Sequence, residues 1–198
     1  MIQGKYVTLR VARADERKRI YEMGLSTDCL EEGAGTEYPN GLADFEAEYT
    51  QRYFDGREPA VCGGMMICAG SKTVGFIVYD QTSHEDDWVN PGIMTIDIWL
   101  DGEKNCGKGY GTDAVKALAK HLHEQYAIHT FYACIDKTNR RSIRACEKSG
   151  FVQVSDHDKP SVIERIFTSK ARMSSPLFED TYLDDDIVFM LNEYSRTE

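Results

Sequence analysis

Apolar and polar positions alternate from Lys5 to Val11, with Val7, Leu9 and Val11 on one side, which is the period of a half-buried strand. Asp15 then reads as the cap of a helix reaching about Leu25. Residues 26–40, with Gly33, Gly35, Pro39 and Asn40, read as a loop. From Gly41, the side chains Leu42, Phe45, Tyr49 and Tyr53 recur at helical spacing, so they share one face of a helix ending near Gly56. Residues 61–69 and 74–81 are strand-like runs that Gly70-Ser71-Lys72-Thr73 joins into an antiparallel hairpin.

A further strand over 92–101 turns Met94, Ile96, Ile98 and Leu100 one way and Asp97 and Trp99 the other, leaving a carboxylate on an otherwise apolar strand. Gly109 to Tyr126 is helical, with Ala114, Leu118 and Leu122 on one stripe; Thr130 to Ile135 is a strand. Asn139 to Ser149 is a short helix stopped by Gly150. Strands at Phe151–Val154 and Ile187–Leu191 flank an irregular segment, 155–185, longer than ordinary connections. Neither a repeat nor a linker divides the chain, so its 198 residues form one expected domain, 1–198.

Charge alters this picture in two places. The 33 acidic residues outnumber the 23 basic ones, and the net −10 repels the phosphates that dominate nucleic-acid affinity, which excludes a nucleic-acid partner. Between Lys104 and Lys148 the balance reverses: nine basic residues face four acids, a local +5 that leaves −15 elsewhere. Either solvated helix faces simply differ, or the basic segment holds an anionic ligand while acidic surfaces attract a cationic one. Apolar runs fall short of the ~20 residues that cross a bilayer, and Met1-Ile2-Gln3-Gly4-Lys5 has no apolar signal core. The expectation is a cytoplasmic protein without a membrane partner. Six cysteines without a C-x-x-C pair read as reduced thiols, with no metal site.

Candidate chemistry centres on Cys106-Gly107-Lys108-Gly109-Tyr110-Gly111-Thr112, which follows a strand and opens a helix. Unpaired N–H groups and the helix dipole make such a junction an anion site, and glycines let the main chain approach a phosphate. Neither the Walker pattern nor the dinucleotide fingerprint fits the spacing, and a plain turn is the competing reading.

The cluster has a wider context. The order strand, Gly107-Lys108-Gly109-Tyr110-Gly111, helix, strand, Asn139, then Ser142-Ile143-Arg144-Ala145-Cys146-Glu147-Lys148-Ser149-Gly150-Phe151 resembles the GNAT superfamily of acyl-CoA-dependent N-acyltransferases. The resemblance implies an α/β (α+β) fold with a mixed, mostly antiparallel sheet, flanking helices, and two central parallel strands, here 92–101 and 129–135, that splay apart. Acetyl-CoA would lie in the cleft as co-substrate, its diphosphate on the glycine loop (Gly107, Lys108, Gly109, Tyr110, Gly111, Thr112). Main-chain groups of Ile98, Trp99 and Leu100 would meet the thioester, and Asn139 and Ser142 the pantetheine arm. Asn139 is equally a helix cap. The family's Gln or Arg at the loop's start is replaced by Cys106.

Within the superfamily, Gly41 to Tyr49 and Asp86 to Leu100 are similar to segments of aminoglycoside 6'-N-acetyltransferases, enzymes of antibiotic resistance. The substrate implied is a small, cationic primary amine. Asp97 would accept the ammonium proton or hold the amine, and Asp86, Asp87, Trp88 and Asp136 would line the acceptor's side. Asp97 can also be read as a structurally satisfied carboxylate, and Trp88 as a packing residue. The family's proton-donating tyrosine is replaced by Cys146, a candidate general acid that also reads as a small apolar side chain; Tyr110, Tyr132, a water or no general acid at all are the other readings. Protein N-terminal acetyltransferases of the ribosomal-protein type carry the same Asn-x-x-Ser-Ile-Arg pattern, and a non-catalytic acetyl-CoA-binding protein is a third reading. A monomer and a homodimer fit the sequence equally.

Overall fold

The computed structural model describes residues 1–26, 41–80, 93–160 and 186–191. Eight strands form one sheet in the order β1-β2-β3-β4-β5-β6-β8-β7. They are β1 (Ile2–Gln3), β2 (Thr8–Val11), β3 (Cys62–Ala69), β4 (Lys72–Asp80), β5 (Ile93–Leu100), β6 (Thr130–Asp136), β7 (Val152–Gln153) and β8 (Asp186–Leu191). Four helices flank it: α1 (Arg17–Leu25), α2 (Leu42–Glu48), α3 (Tyr110–Tyr126) and α4 (Arg140–Ser149). Neighbouring strands pair antiparallel except β5 with β6, which run parallel.

Alternation along each strand sorts the core into two layers. Leu9, Ile77, Met94, Ile96, Phe131 and Ile135 join Ala114, Leu118 and Leu122 of α3 and Ile143 of α4 on one face. Met66, Phe76 and Val78 meet Ile20 of α1 and Phe45 of α2 on the other. β4 is buried on both faces from Val74 to Asp80, which is why its sequence reads as an unbroken apolar run.

Three local expectations change. Asp15 does not cap α1; the preceding turn, Ala14–Glu16, is held by Glu16, whose carboxylate accepts from Arg13 N–H at 3.0 Å and from Arg10 at 2.6 and 2.8 Å. The helix from Gly41 stops at Glu48, and Tyr53 returns to the same core in a separate short turn, Gln51–Tyr53. The alternation from Lys5 is a strand only from Thr8, because residues 4–7 turn back to pair β1 with β2. Residues 27–40, 81–92, 161–185 and 192–198 lie outside the described residues.

Candidate active site

The site begins where β5 and β6 part. Their parallel register covers Ile93↔Thr130, Met94↔Phe131 and Thr95↔Tyr132 and then ends. Beyond it, β5 stays paired to β4 as far as Leu100, and β6 stays paired to β8 as far as Asp136. Each strand thus follows its outer neighbour, and a gap opens between 96–100 and 133–136.

Alternation fixes which main-chain groups face that gap. Asp101 N–H donates to Val74 O at 2.9 Å, so residues 99, 97 and 95 direct their N–H and C=O toward β4. Ile98 and Leu100 therefore direct theirs away from β4, into the gap. Trp99, expected with them, turns the other way: its indole packs in the second core, and Nε1–H donates to Ile20 O at 3.3 Å.

The glycine loop stands at the end of the gap. After a short turn, Glu103–Asn105, Gly107 and Gly109 adopt φ of 71° and 82°, the left-handed region that favours glycine. No side chain caps α3; its first internal bond runs from Asp113 N–H to Gly109 O at 2.9 Å. The N–H groups of Tyr110, Gly111 and Thr112 therefore point out of the positive end of a 17-residue helix. Gly107, Lys108 and Gly109 are exposed, and a Cβ on Gly111 would lie 3.7 Å from the Ile98 side chain, which places this turn against the end of β5.

α4 forms the opposite wall. Asn139 is its N-cap, its side-chain oxygen accepting from Ser142 N–H at 3.1 Å, and Gly150 closes it in the left-handed conformation. Arg141 reaches back to Glu103 at 2.6 Å, joining α4 to the turn that follows β5. Cys146, on this helix, borders the main core with Ile98, Leu100 and Tyr110, all only partly buried. Burial, and secondarily the Asp97 charge, pushes its thiol up to about 12.

Asp97 is exposed on the face opposite α3, flanked by Thr95 and Trp99 of its own strand. Tyr49 meets the Trp99 ring edge-on at 6.0 Å, which gives this side an aromatic wall. Across the gap, Asp136 accepts from both the N–H and the hydroxyl of Thr138, so its carboxylate shapes the turn into α4. The Tyr132 ring, opposite Thr95 in the last rung before the gap, is fully buried with Val154 and Val188. Asp86, Asp87 and Trp88 fall outside the described residues.

Outward-pointing amides at a helix start, beside a gap walled by half-buried apolar side chains, fit a long ligand with a diphosphate at one end and a thin, mostly apolar arm. A sheet parted between its parallel strands, with the amide-lined loop at the parting, is the arrangement that the resemblance to the acyl-CoA-dependent acyltransferases implies. The family model for the acetyltransferase (GNAT) domain matches residues 7–152, and the chain belongs to that family of acetyl-CoA-dependent N-acetyltransferases.

The relatives and the solved structures that resemble this chain are named for different substrates. The aminoglycoside N(6')-acetyltransferase type 1 of Klebsiella pneumoniae is 27% identical over 164 residues, 79% of this chain and 80% of that protein. The spermine/spermidine N(1)-acetyltransferase of Bacillus subtilis (strain 168) is 33% identical over 78 residues, 39% of this chain and 51% of that protein. The structure of AAC(6')-Ib with ribostamycin and coenzyme A superimposes with a TM-score of 0.65 at 20% identity, over 98% of this chain and 99% of that one. RimL, a ribosomal L7/L12 alpha-N-protein acetyltransferase with coenzyme A, gives 0.67 at 13% identity, over 96% and 95% of the two chains. At those identities the two structures establish the fold.

Among the described residues, no helix is long and apolar enough to cross a membrane, and no group of three or more His, Cys, Asp or Glu side chains is placed to hold a metal ion. Sequence reasoning did not single out Asp113 or Glu103. Asp113 looks like an ordinary first-turn acid, and nothing local in the sequence names its partners.

Proposed function

We propose that this protein acetylates a primary amine of a polycationic small molecule, of the aminoglycoside or polyamine type. The observation that carries the reading is Asp97, an exposed carboxylate beside the gap, next to the aromatic pair Tyr49 and Trp99. The named substrates of both kinds of relative, aminoglycosides and spermine or spermidine, are polycations, and the acidic balance of the chain outside residues 104–148 favours their approach.

Bound acetyl-CoA supplies an acetyl group activated as a thioester. The N–H groups of Tyr110, Gly111 and Thr112 hold the diphosphate at the positive end of α3. The N–H groups of Ile98 and Leu100, fixed by the β4–β5 ladder, stabilise negative charge developing on the acyl oxygen, a contribution of about 3 kcal/mol for one well-placed donor. Asp97 takes the proton of the incoming ammonium on a carboxylate oxygen, directly or through a water. The amine nitrogen forms the new bond to the acyl carbon as the C–S bond breaks, and coenzyme A leaves as the thiolate, which takes its proton from water. Cys146 lines the pocket as an apolar wall, and Asn139 and Ser142 hold the start of α4 where it meets the pantetheine arm.

The test is thiol release from acetyl-CoA in the presence of kanamycin, ribostamycin, spermidine or an N-terminal peptide, and without acceptor. Release that depends on one of the polycations is expected. A preference for the peptide, or tight coenzyme A binding with no acceptor-dependent release, overturns the proposal.

A further inference from the structure

The first turn of α3 carries an acid that the chemistry above does not use. Asp113 directs its carboxylate to the turn between β1 and β2, where it accepts three consecutive main-chain N–H groups: Lys5 at 3.0 Å, Tyr6 at 2.6 Å and Val7 at 3.0 Å. That turn is closed by Gly4 N–H donating to Val7 O at 2.8 Å. Gly4 also leaves the room the carboxylate occupies, since a Cβ there would lie 2.5 Å from Asp113 Oδ2. The Tyr6 ring continues the contact, 3.9 Å from the position of a Cβ on Gly109.

Two effects of opposite sign meet at this residue. A negative charge directly after the three outward-pointing amides of α3 repels any anion bound there. The same charge, engaged by three N–H donors of another segment, anchors the first turn of the helix to the sheet. Charge-assisted hydrogen bonds to the main chain are strong and directional, whereas repulsion across an exposed loop is screened by water and salt. Anchoring is therefore the larger effect, and it removes orientational freedom that a ligand would otherwise have to freeze out on binding.

We infer that Asp113 is a positioning residue for the diphosphate site, setting the Tyr110–Thr112 amides by tying α3 to the β1–β2 turn. The inference rests on the reading of the Gly107–Thr112 loop as the diphosphate site. The turn that Asp113 grips lies more than 100 residues away from it in sequence.

The experiment measures the Kd of coenzyme A by calorimetry for the wild-type protein, Asp113→Asn and Gly4→Ala, each at a temperature where it is fully folded by its own melting curve. Asp113→Asn removes the charge and half of the acceptor capacity; Gly4→Ala displaces the carboxylate and leaves every charge in place. Both variants are expected to raise the Kd about tenfold, the equivalent of about 1.4 kcal/mol. A Kd within twofold of wild type for both overturns the inference, whatever happens to Tm, because a purely structural contact changes stability and leaves the folded site intact. Tighter binding by Asp113→Asn overturns it too, since the residue would then act on the ligand only as a repelling charge. If Asp113→Asn fails to fold, Gly4→Ala decides alone. Failure of the wild-type protein to bind coenzyme A is a separate result: it overturns the reading of the loop itself.

Discussion

Asp97 on β5 and Cys146 on α4 lie within electrostatic reach of one another beside the β5–β6 gap, and the Asp97 charge adds to burial in holding the Cys146 thiol protonated, up to about pH 12. The two residues expected to move protons are thus unequal. Asp97 is exposed on the side proposed for the acceptor, whereas Cys146 is partly buried against the main core.

Asp97→Asn should lower turnover at least tenfold while leaving coenzyme A affinity within twofold, because the amide keeps the shape of the side chain and cannot take the proton. Steady-state thiol release and calorimetry on the same preparation check this. Unchanged turnover removes Asp97 from the proposed role.

Cys146→Ala should keep turnover within about threefold. A thiol at about 12 is a poor acid toward a leaving thiolate with an ordinary value of about 8.5; the mismatch of more than three units is roughly 4–5 kcal/mol uphill. The electrostatic link gives a second check, on alkylation of Cys146 by iodoacetamide at pH 9 followed by mass spectrometry. Asp97→Asn removes one of the influences raising the thiol, so its thiolate fraction and its alkylation rate should rise relative to wild type.

Glu16 gives a prediction for stability. Its carboxyl is held below the ordinary 4.5 mainly by hydrogen bonds from Arg10, against the opposing effect of burial, and also by Arg13 N–H. A depressed carboxyl contributes stability that is present above its unfolded value and lost as pH falls through its folded value. Glu16→Gln should therefore cost about 2 kcal/mol at pH 7 and progressively less below pH 4. Urea unfolding at the two pH values checks the sign; an equal loss at both contradicts it.

Asn139 has two separable roles. Asn139→Ala should lower stability by about 1 kcal/mol through loss of the bond to Ser142 N–H, whereas Asn139→Ser keeps a capping oxygen and should restore most of it. If the Asn139 amide also meets the pantetheine arm, as the family resemblance implies, both variants lack it and both should raise the KM for acetyl-CoA several-fold. Melting curves and cofactor titrations distinguish the two effects.

Much of the fold was legible because its signals are local. The alternation of Met94, Ile96, Ile98 and Leu100 against Asp97 and Trp99 marks β5 and both of its faces, and Asn139 and Gly150 bound α4 as N-cap and C-cap residues do. Glycines at 107 and 109 mark a turn that needs positive φ. What stayed hidden depends on pairing. Periodicity identifies β5 and β6 as strands, yet which main-chain groups enter the gap follows from the β4–β5 register, and that register excludes Trp99 while admitting its two neighbours. The short β1 and the Gly4–Val7 turn carry too few residues for a period, and the Asp113 contact that holds them spans more than 100 positions. Asp15 was a reasonable cap by residue type, but the buried neighbour Glu16, paired with Arg10 from β2, took over that turn.

The most direct test of the account is a crystal structure with coenzyme A bound. The diphosphate is expected against the N–H groups of Tyr110, Gly111 and Thr112, and the sulfur in the gap between β5 and β6 beside Asp97. A structure in which the glycine turn makes no contact with the diphosphate, or in which the Asp97 side chain points away from the sulfur, would contradict it.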